Sequence, residues 1–356
     1  MIPETPLNSG DAGSNTLSHP LRIVFFGTPA FAVPTLEALV ADAGISVVGI
    51  VTQPDKPTGR GQKLMPPPVK AAAQALGLAC PVFQPVKTRT DEPLFEALRA
   101  LKADAFVTIA FGQILPQVLL DIPRMGTVNV HASLLPELRG ANPIQWAILQ
   151  DKPETGITTM LTDAGVDTGA MLLKAQLPIL PDETAAELAE RLAQMGGPLL
   201  LKTLYALHAG TLAPIDQINE HATHAPKLAK QDALCDWQQP ARTLWLKIRG
   251  QQPWPGVQTF LGGQPVKLLR AALTSGEALK AVHTQAQPGS ILGVDTEGAV
   301  QGLIVACGPQ GDQRLTVTQL QMAGKKAMPA LDWWRGLPAA EQQAARFEAI
   351  PAAVAT

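Results

Sequence analysis

Cysteine, charge and long apolar runs are all scarce in this sequence. Its 356 residues include three cysteines, Cys80, Cys235 and Cys307, and their odd number and wide spacing match neither a disulfide framework nor a zinc or redox motif. No apolar run approaches the roughly 20 residues that a membrane-spanning helix needs. The chain also lacks a charged leader followed by an apolar segment and a cleavage site. We therefore expect a protein of the reducing cytoplasm.

The chain has no net positive charge, but its positive charges are unevenly distributed. The net charge is −2, which by itself gives no sign of a nucleic-acid partner. Between Lys227 and Arg335, however, 12 Lys and Arg stand against 7 Asp and Glu, a local charge of +5, so the remainder carries −7. The C-terminal third is the basic part of the chain.

Apolar residues are plentiful at 46%, and the length suits two hydrophobic cores. In the first part of the chain, short apolar runs alternate with segments of helical periodicity. The strand-like runs are LRIVFFG, ISVVGIV, PVFQP, DAFVTIA and TVNVHA. Continuous apolar strands with helices between them predict a parallel sheet covered on both faces, the doubly wound α/β arrangement.

The pattern changes after a weakly periodic stretch that we interpret as a linker. Short β-rich runs such as GVQTFL and RLTVTQL, separated by Gly, Pro, Asp and Gln, predict a small antiparallel barrel. The predicted parts are a disordered tail (1–20), a catalytic domain (21–209), the linker (210–226), the barrel (227–337) and a final helix or tail (338–356).

The segment TVNVHASLLP carries the most informative polar residues. Alternate side chains of a strand share a face, so Asn129 and His131 emerge together while Val128 and Val130 point into packing. Both polar groups then lie at the carboxyl end of a parallel strand, where open α/β sheets place their ligands. A histidine satisfied inside the structure is the alternative, and the neighbouring Asn and the following turn favour function.

A second polar segment, LTDAGVDTGAM, sets Asp163 and Asp167 among glycines that permit a tight loop. By itself this pattern is usually just a turn. Together with Asn129 and His131, a carboxylate suits acyl transfer to an amine. The amide and a protonated imidazole can stabilise the developing oxyanion, while Asp167 favours the charged imidazole and helps to carry the released proton. There is no GxSxG nucleophile motif, so direct attack by the acceptor is the simpler mechanism.

These motifs resemble the folate-dependent formyltransferases. The resemblance rests on NVHASLLP, RGANPIQWAI and DAGVDTG, with LRIVFFGTPAFAVPTLEAL, VTQPDKPTGRGQKLMPPPVKAAA and AGKKAM in the same order, and it spans nearly all of the stretch from Leu21 to Arg335. It implies that Asn129, His131 and Asp167 are the catalytic residues. It also implies a Rossmann-like catalytic domain followed by a barrel related to the OB-fold.

The resemblance further implies the substrates. The donor would be 10-formyltetrahydrofolate, the acceptor initiator methionyl-tRNA, and the working state a monomer. Independently of the resemblance, we expect no metal ion, because His221 and His224 lack further ligands in their neighbourhood. The predicted folate-pocket residues are Ser133, Leu134, Leu135 and Pro136. Glu137 departs from the pattern, because a basic residue is expected after SLLP.

Two basic segments are candidates for tRNA contacts. The long connection from residue 52 to 68 carries Lys56, Arg60 and Lys63 against the single acid Asp55. Long loops within compact domains are commonly functional, although a solvated surface loop is the alternative. Lys325 and Lys326 end the basic barrel and fit phosphate contacts, where adjacent surface lysines otherwise serve solubility.

Other functions remain open on sequence grounds. A formyltransferase for a small amine, such as an amino sugar or glycinamide ribonucleotide, would not need the basic barrel and the basic loop. A dinucleotide-dependent oxidoreductase is disfavoured because FFGTPAF lacks the GxGxxG motif. A tRNA-binding module without catalysis is the third possibility.

Overall fold

A computed structural model describes residues 19–58, 61–275, 285–296 and 300–348. The chain divides into two compact units. The first contains the described residues of Met1–Pro143, Glu154–Pro178 and Ala189–Ala225, and the second those of Ile144–Pro153, Ile179–Leu188 and Pro226–Thr356. Within the described ranges, no helix combines the length and the apolar character needed to cross a bilayer.

The elements up to residue 225 alternate between strands and helices. The strands are β1 (Leu21–Gly27), β2 (Ile45–Val51), β3 (Lys56–Thr58), β4 (Lys63–Met65), β5 (Val82–Phe83), β6 (Ala105–Ile109), β7 (Thr127–His131), β8 (Arg139–Gly140), β9 (Glu154–Leu161), β10 (Met171–Pro178) and β11 (His224–Ala225). The helices are α1 (Val33–Ala41), α2 (Pro68–Ala75), α3 (Glu92–Ala100), α4 (Gln117–Leu120), α5 (Pro143–Leu149) and α6 (Ala185–His208).

The main sheet of the first unit has seven strands in the order β10-β9-β7-β6-β1-β2-β5. Strands β5, β2, β1, β6 and β7 are parallel, whereas β9 runs antiparallel to β7 and β10 antiparallel to β9. The chain starts at β1, moves outwards to β5 and then returns to the other side at β6. The predicted doubly wound α/β fold is confirmed, with an antiparallel edge that the sequence pattern did not distinguish.

The central strand is buried on both faces, as its continuous apolar sequence predicts. Ile23, Val24, Phe25 and Phe26 of β1 are all fully buried. On one face, Phe26 packs against Phe106, with ring centroids 5.2 Å apart, and against Phe111 at 5.5 Å. Residues of α3, including Phe95, complete this core.

The opposite face is covered by α1 and by the part of α6 that belongs to the first unit. A Cβ atom at Gly196 of α6 would meet Thr35 Oγ1 of α1 at 2.7 Å and Val130 of β7 at 3.5 Å. The Thr203 side chain on α6 contacts Thr159 of β9 through their hydroxyl oxygens at 2.8 Å. The backbone of α6 therefore approaches closely behind the strand that carries Asn129 and His131.

The second unit contains an antiparallel sheet that curls into a half-barrel. Its strands are β12 (Val257–Leu261), β13 (Gln264–Leu273), β14 (Ile291–Asp295), β15 (Gly302–Cys307), β16 (Gln313–Met322), β17 (Met328–Pro329) and β18 (Phe347–Glu348). The helices are α7 (Ala241–Gly250), α8 (Ala330–Arg335) and α9 (Ala339–Ala344). Its core includes Trp237, which stacks on Phe347 and donates from Nε1 to Thr259 Oγ1 at 2.9 Å.

Two small β elements were not foreseen. The segment predicted to be a long loop contains an antiparallel hairpin, in which Lys56 of β3 pairs with Met65 of β4. The segment 210–226, predicted to be a linker, contributes β11, which pairs in parallel with β8. Strands β3, β4 and β11 are very short, and none of them has the alternation of polar and apolar residues by which strands are recognised.

We predict that Phe26→Ala will lower the free energy of unfolding by about 3–5 kcal/mol, because it leaves a cavity between two rings. Urea unfolding provides the measurement. Val86→Ala is the matched control, since Val86 is 79% exposed and its loss should change stability by less than about 0.5 kcal/mol. Equal effects of the two substitutions would contradict the described core.

Candidate active site at the end of strand β7

The site is built on β7, whose side chains alternate between the core and the crevice. Val128 is fully buried and Val130 is 3% exposed, whereas Asn129 and His131 extend from the other face. Strand β7 lies beside β6, which returns on the far side of β1 and so borders the point where the strand order reverses. Ligands of open α/β sheets bind at the carboxyl ends of the strands near such a point.

The side chains of Asn129 and His131 both lie next to one carboxylate oxygen of Asp167. Asn129 Nδ2 lies 3.4 Å from Asp167 Oδ1, and His131 Nδ1 lies 3.5 Å from the same oxygen. The second oxygen, Oδ2, accepts a hydrogen bond from the Gly140 backbone N–H at 2.9 Å. The His131 side chain is 7% exposed and that of Asp167 is 16% exposed. The structure thus brings together the three residues that the sequence singled out.

The orientation of the Asn129 amide follows from its neighbours. The Thr108 hydroxyl on the adjacent strand β6 donates to Asn129 Oδ1 at 3.0 Å. The carboxylate of Asp167 only accepts hydrogen bonds when ionised, so the NH₂ group must face it. One amide hydrogen therefore points to Asp167, and the second is available to a ligand.

The orientation of the His131 ring is set from behind. Its Nε2 lies 3.0 Å from the carbonyl oxygen of Leu138, which can only accept, so Nε2 carries a hydrogen. The nitrogen that faces the site is consequently Nδ1. When it is protonated, both ring nitrogens have an acceptor, because Asp167 lies on that side.

The loop that carries Asp167 adopts a conformation that L-residues disfavour. Asp167 has φ 54°, in the left-handed region, which costs about 1 kcal/mol and is tolerated better by Asp than by most residues. Asp163 closes the start of the loop, accepting from the Gly165 N–H at 3.0 Å and from the Thr168 hydroxyl at 2.8 Å. The two acids thus differ, since Asp163 holds the turn and Asp167 faces the site.

The SLLP segment, predicted to line the folate pocket, is held by β9 and β10. Thr158 Oγ1 donates to the Ser133 carbonyl at 2.6 Å and accepts from the Leu135 N–H at 3.1 Å. Ser133 and Leu135 are fully buried, and the Ser133 hydroxyl donates to the Glu137 carbonyl at 2.6 Å. Leu134 and Pro136 are half-buried and are the members whose side chains a ligand can reach.

Glu137 lies close to a half-buried lysine. The Lys174 ammonium of β10 donates to the Leu135 carbonyl oxygen. Burial lowers the pKa of Lys174, and the Glu137 carboxylate opposes that shift by favouring the ammonium form. The acid that departs from the expected pattern therefore serves as a countercharge beside the SLLP segment.

Comparison with known proteins identifies the family. The formyl transferase family model matches residues 21–204, more than half of the chain, and the model of the formyl transferase C-terminal domain matches residues 227–338. The chain belongs to the formyl transferase family.

Several members of this family are similar along most of the chain. A protein named methionyl-tRNA formyltransferase from Synechococcus sp. (strain JA-2-3B'a(2-13)) is 47% identical over 332 residues, 93% of this chain and 99% of that protein. A protein of the same name from Geobacter sulfurreducens is 47% identical over 316 residues, 89% of this chain and 94% of that protein.

A solved structure shares the fold at lower identity. It is the N-formyltransferase from Helicobacter canadensis in complex with folinic acid and dTDP-3-aminofucose, with a TM-score of 0.58 and 18% identity. The match covers 85% of this chain and 99% of that one.

The basic residues predicted to contact tRNA lie on exposed elements of this formyl transferase. Lys63 is exposed on β4, and Lys56 on β3 donates to Gln53 Oε1 at 2.7 Å. Arg60 lies outside the described residues. Lys325 and Lys326 are exposed in the turn that follows β16 of the second unit.

The β3–β4 hairpin, which carries Lys56 and Lys63, has one neighbouring acid, Asp55, and this acid is already paired. Asp55 accepts hydrogen bonds from Gln84 at 2.7 Å and from Lys70 at 2.9 Å. The hydrogen bonds from Gln84 and Lys70 hold the pKa of Asp55 below its usual value. The described partners of Asp55 are therefore Lys70 and Gln84 and not the lysines of the hairpin.

Three residues that support the site escaped the sequence analysis. Gln217 Nε2 donates to the carbonyl oxygens of Asp167 and Gly169, both at 2.8 Å. Arg139, 5% exposed, donates from Nε to Gln217 Oε1 at 2.9 Å. Thr223 Oγ1 accepts from the Leu138 N–H at 2.9 Å. No periodicity or motif marks Gln217 and Thr223, because both lie in the segment predicted to be a linker.

No group of three or more His, Cys, Asp or Glu side chains that could hold a metal ion occurs in the described part of the chain. His221 and His224 lie on the 3₁₀ turn and on β11 that follow Gln217.

We predict that Gly140→Ala will destabilise the first unit by about 2 kcal/mol. Gly140 has φ 119°, and an added Cβ would lie 2.8 Å from the Ala225 carbonyl oxygen, so the strand pairing of β8 and β11 must shift. Gly77→Ala is the matched control, with φ 67° and open space around its Cβ, and should cost about 1 kcal/mol. Urea unfolding measures both. A smaller loss for Gly140→Ala than for the control would contradict this geometry.

Proposed function

We propose that this chain transfers the formyl group of 10-formyltetrahydrofolate to the amino group of initiator methionyl-tRNA. The observation that carries the proposal is the convergence of Asn129 and His131 on one oxygen of Asp167 at the end of β7. Relatives named methionyl-tRNA formyltransferase, similar over nearly the whole chain, support the choice of acceptor. The enzyme is proposed to act as a monomer in the cytoplasm.

The donor set of the site fits a carbonyl oxygen that gains negative charge. Asn129 Nδ2 and protonated His131 Nδ1 are N–H donors that face the same point from one side of the strand. Both distances to Asp167 are longer than the usual 2.7–3.2 Å, so neither donor is committed to a strong hydrogen bond with the carboxylate, and a ligand oxygen can compete for both. Fixed donors of this kind stabilise an oxyanion, commonly by about 3 kcal/mol each.

Asp167 is proposed to act on the proton rather than on the carbonyl carbon. Its Oδ1 faces His131 Nδ1, while the Gly140 N–H holds Oδ2. The amino group that attacks the formyl carbon must lose a proton, and a carboxylate at this place can accept it. When the tetrahedral intermediate collapses, the bond between the formyl carbon and the folate nitrogen breaks, and that nitrogen takes up the proton. The bound folate supplies the formyl carbon, and its pocket is proposed to include Ser133, Leu134, Leu135 and Pro136. Leu134 and Pro136 would offer side chains, and the buried pair would shape the backbone.

We predict that Asp167→Asn will lower kcat by roughly 100-fold or more, in line with general acid–base contributions. Asparagine keeps an acceptor for the Gly140 N–H but removes the charge beside His131. Initial rates with radiolabelled methionyl-tRNA and 10-formyltetrahydrofolate provide the measurement, and Asn129→Ala and His131→Ala should also be strongly impaired.

Asp163→Asn is the matched control, because Asp163 belongs to the same loop, and its hydrogen bonds within the described residues go to Gly165 and Thr168 of that loop. It should retain near wild-type kcat. Full activity in both Asp167→Asn and His131→Ala would sink the catalytic assignment. Formylation of a small amine but not of methionyl-tRNA by the wild-type protein would instead favour the alternative acceptor.

The acceptor is proposed to be held by Lys56, Arg60 and Lys63 on the basic hairpin segment, and by Lys325 and Lys326. Exposed cations gain affinity for nucleic acid mainly by releasing counterions from phosphates, which makes the affinity depend on salt. The half-barrel and the hairpin segment would then favour a macromolecular acceptor.

We predict that Lys325→Ala/Lys326→Ala will raise KM for methionyl-tRNA while leaving KM for the folate unchanged. The slope of log KM against log salt should fall by about 1 for each phosphate contact removed. Lys202→Ala serves as control, because Lys202 is exposed on α6. If the slope of log KM against log salt falls no further in the double variant than in the control, the proposed phosphate contact is wrong.

A further inference from the structure

Gln217 uses every hydrogen-bonding atom of its side-chain amide. Both hydrogens of Nε2 are donated, one to the carbonyl oxygen of Asp167 and one to that of Gly169, each at 2.8 Å. Its Oε1 accepts from Arg139 Nε at 2.9 Å. Only an amide side chain supplies two donors and an acceptor in this arrangement, and asparagine is one methylene shorter.

The two carbonyls that Gln217 binds belong to the strained part of the loop. Asp167 has φ 54°, a conformation that persists only where the surroundings impose it. A side chain that binds the carbonyl of Asp167 itself and that of Gly169 fixes the backbone on both sides of Thr168. It therefore sets where the Asp167 carboxylate lies relative to Asn129 and His131.

The Gln217 amide is itself oriented by a rigid group. Arg139 is 5% exposed, and its planar guanidinium donates to Gln217 through Nε and to Asn219 Oδ1 through an η nitrogen at 3.0 Å. Arg139 immediately precedes Gly140, whose N–H binds Asp167 Oδ2 at 2.9 Å. Strand β8 thus binds the Asp167 carboxylate directly, through the Gly140 N–H, and the Asp167 backbone indirectly, through Arg139 and Gln217.

We propose that Gln217 is a positioning residue for catalysis, which places the Asp167 carboxylate at its working distance from His131 and Asn129. The inference rests on the proposed function, since it treats Asp167 as the group that handles the proton. Gln217 touches neither substrate in this role and acts only through the loop.

The test is a double-mutant cycle between Gln217 and Asp167. Gln217→Met keeps the shape of the side chain but removes all three hydrogen bonds. In the wild-type background it should lower kcat by roughly 10- to 100-fold, because a shift of about 1 Å in a catalytic group has effects of this size. KM for both substrates should stay within about threefold. In an Asp167→Asn background, the same substitution should cost no more than about twofold, because its effect passes through the lost carboxylate.

Two further variants separate positioning from folding. Gln217→Glu keeps an acceptor for Arg139 but sets a carboxylate against two carbonyl oxygens, so it should impair kcat like Gln217→Met. Asn219→Ala removes the other partner of Arg139 without touching the Asp167 loop and should retain kcat. Equal losses from Gln217→Met in both backgrounds, or a raised KM with unchanged kcat, would overturn the proposal.

A readout without activity distinguishes this proposal from the proposed function. Hydrogen exchange of the amides from 164 to 170 should accelerate in Gln217→Met and not in Asn219→Ala. Unchanged exchange would show that Gln217 does not hold the Asp167 loop, even if the enzyme formylates methionyl-tRNA. If exchange accelerates in Gln217→Met but the wild-type protein transfers no formyl group, the loop geometry stands and the catalytic assignment is wrong.

Discussion

The site depends on a single carboxylate oxygen that is shared by an amide and an imidazole. Asp167 Oδ1 lies 3.4 Å from Asn129 Nδ2 and 3.5 Å from His131 Nδ1. Neither contact has the length of a strong hydrogen bond, so both donors lie next to the oxygen but can still bind a second acceptor. The surrounding hydrogen bonds serve mainly to keep these atoms where they are, through Thr108 behind the amide and Leu138 behind the ring.

This arrangement could not arise from one segment alone. Strand β7 supplies the amide and the imidazole two residues apart, the loop between β9 and β10 supplies the acid, and β8 supplies the N–H that holds it. Strand β9 runs back along β7, pairing His131 with Thr158 and Val128 with Leu161, so it ends beside the start of β7. The loop that follows β9 must therefore fold back along β7 to bring Asp167 to Asn129 and His131.

The parts of the fold and site that follow from short-range pattern were predictable from the sequence. Continuous apolar runs gave β1, β2 and β6, and the two-residue period placed Asn129 and His131 on one face. Gln217 was not predictable, because two of its three partners are backbone carbonyls, which look the same at every residue, and the third, Arg139, is 78 positions away in the chain. The hairpin β3–β4 was missed for a similar reason, since three-residue strands with exposed side chains leave no hydropathy signal.

The departure at Glu137 shows how one charge can alter a site while its backbone geometry is kept. SLLP is held by Thr158 and Lys174 through its own backbone groups, so no side chain at position 137 is needed to form it. A basic residue there would repel the ammonium of Lys174 and so lower its pKa further than burial alone does. An acid instead favours the charged form of Lys174, which keeps the ammonium bound to the Leu135 carbonyl. Glu137 therefore favours the charged form of the lysine that binds the segment proposed to line the folate pocket.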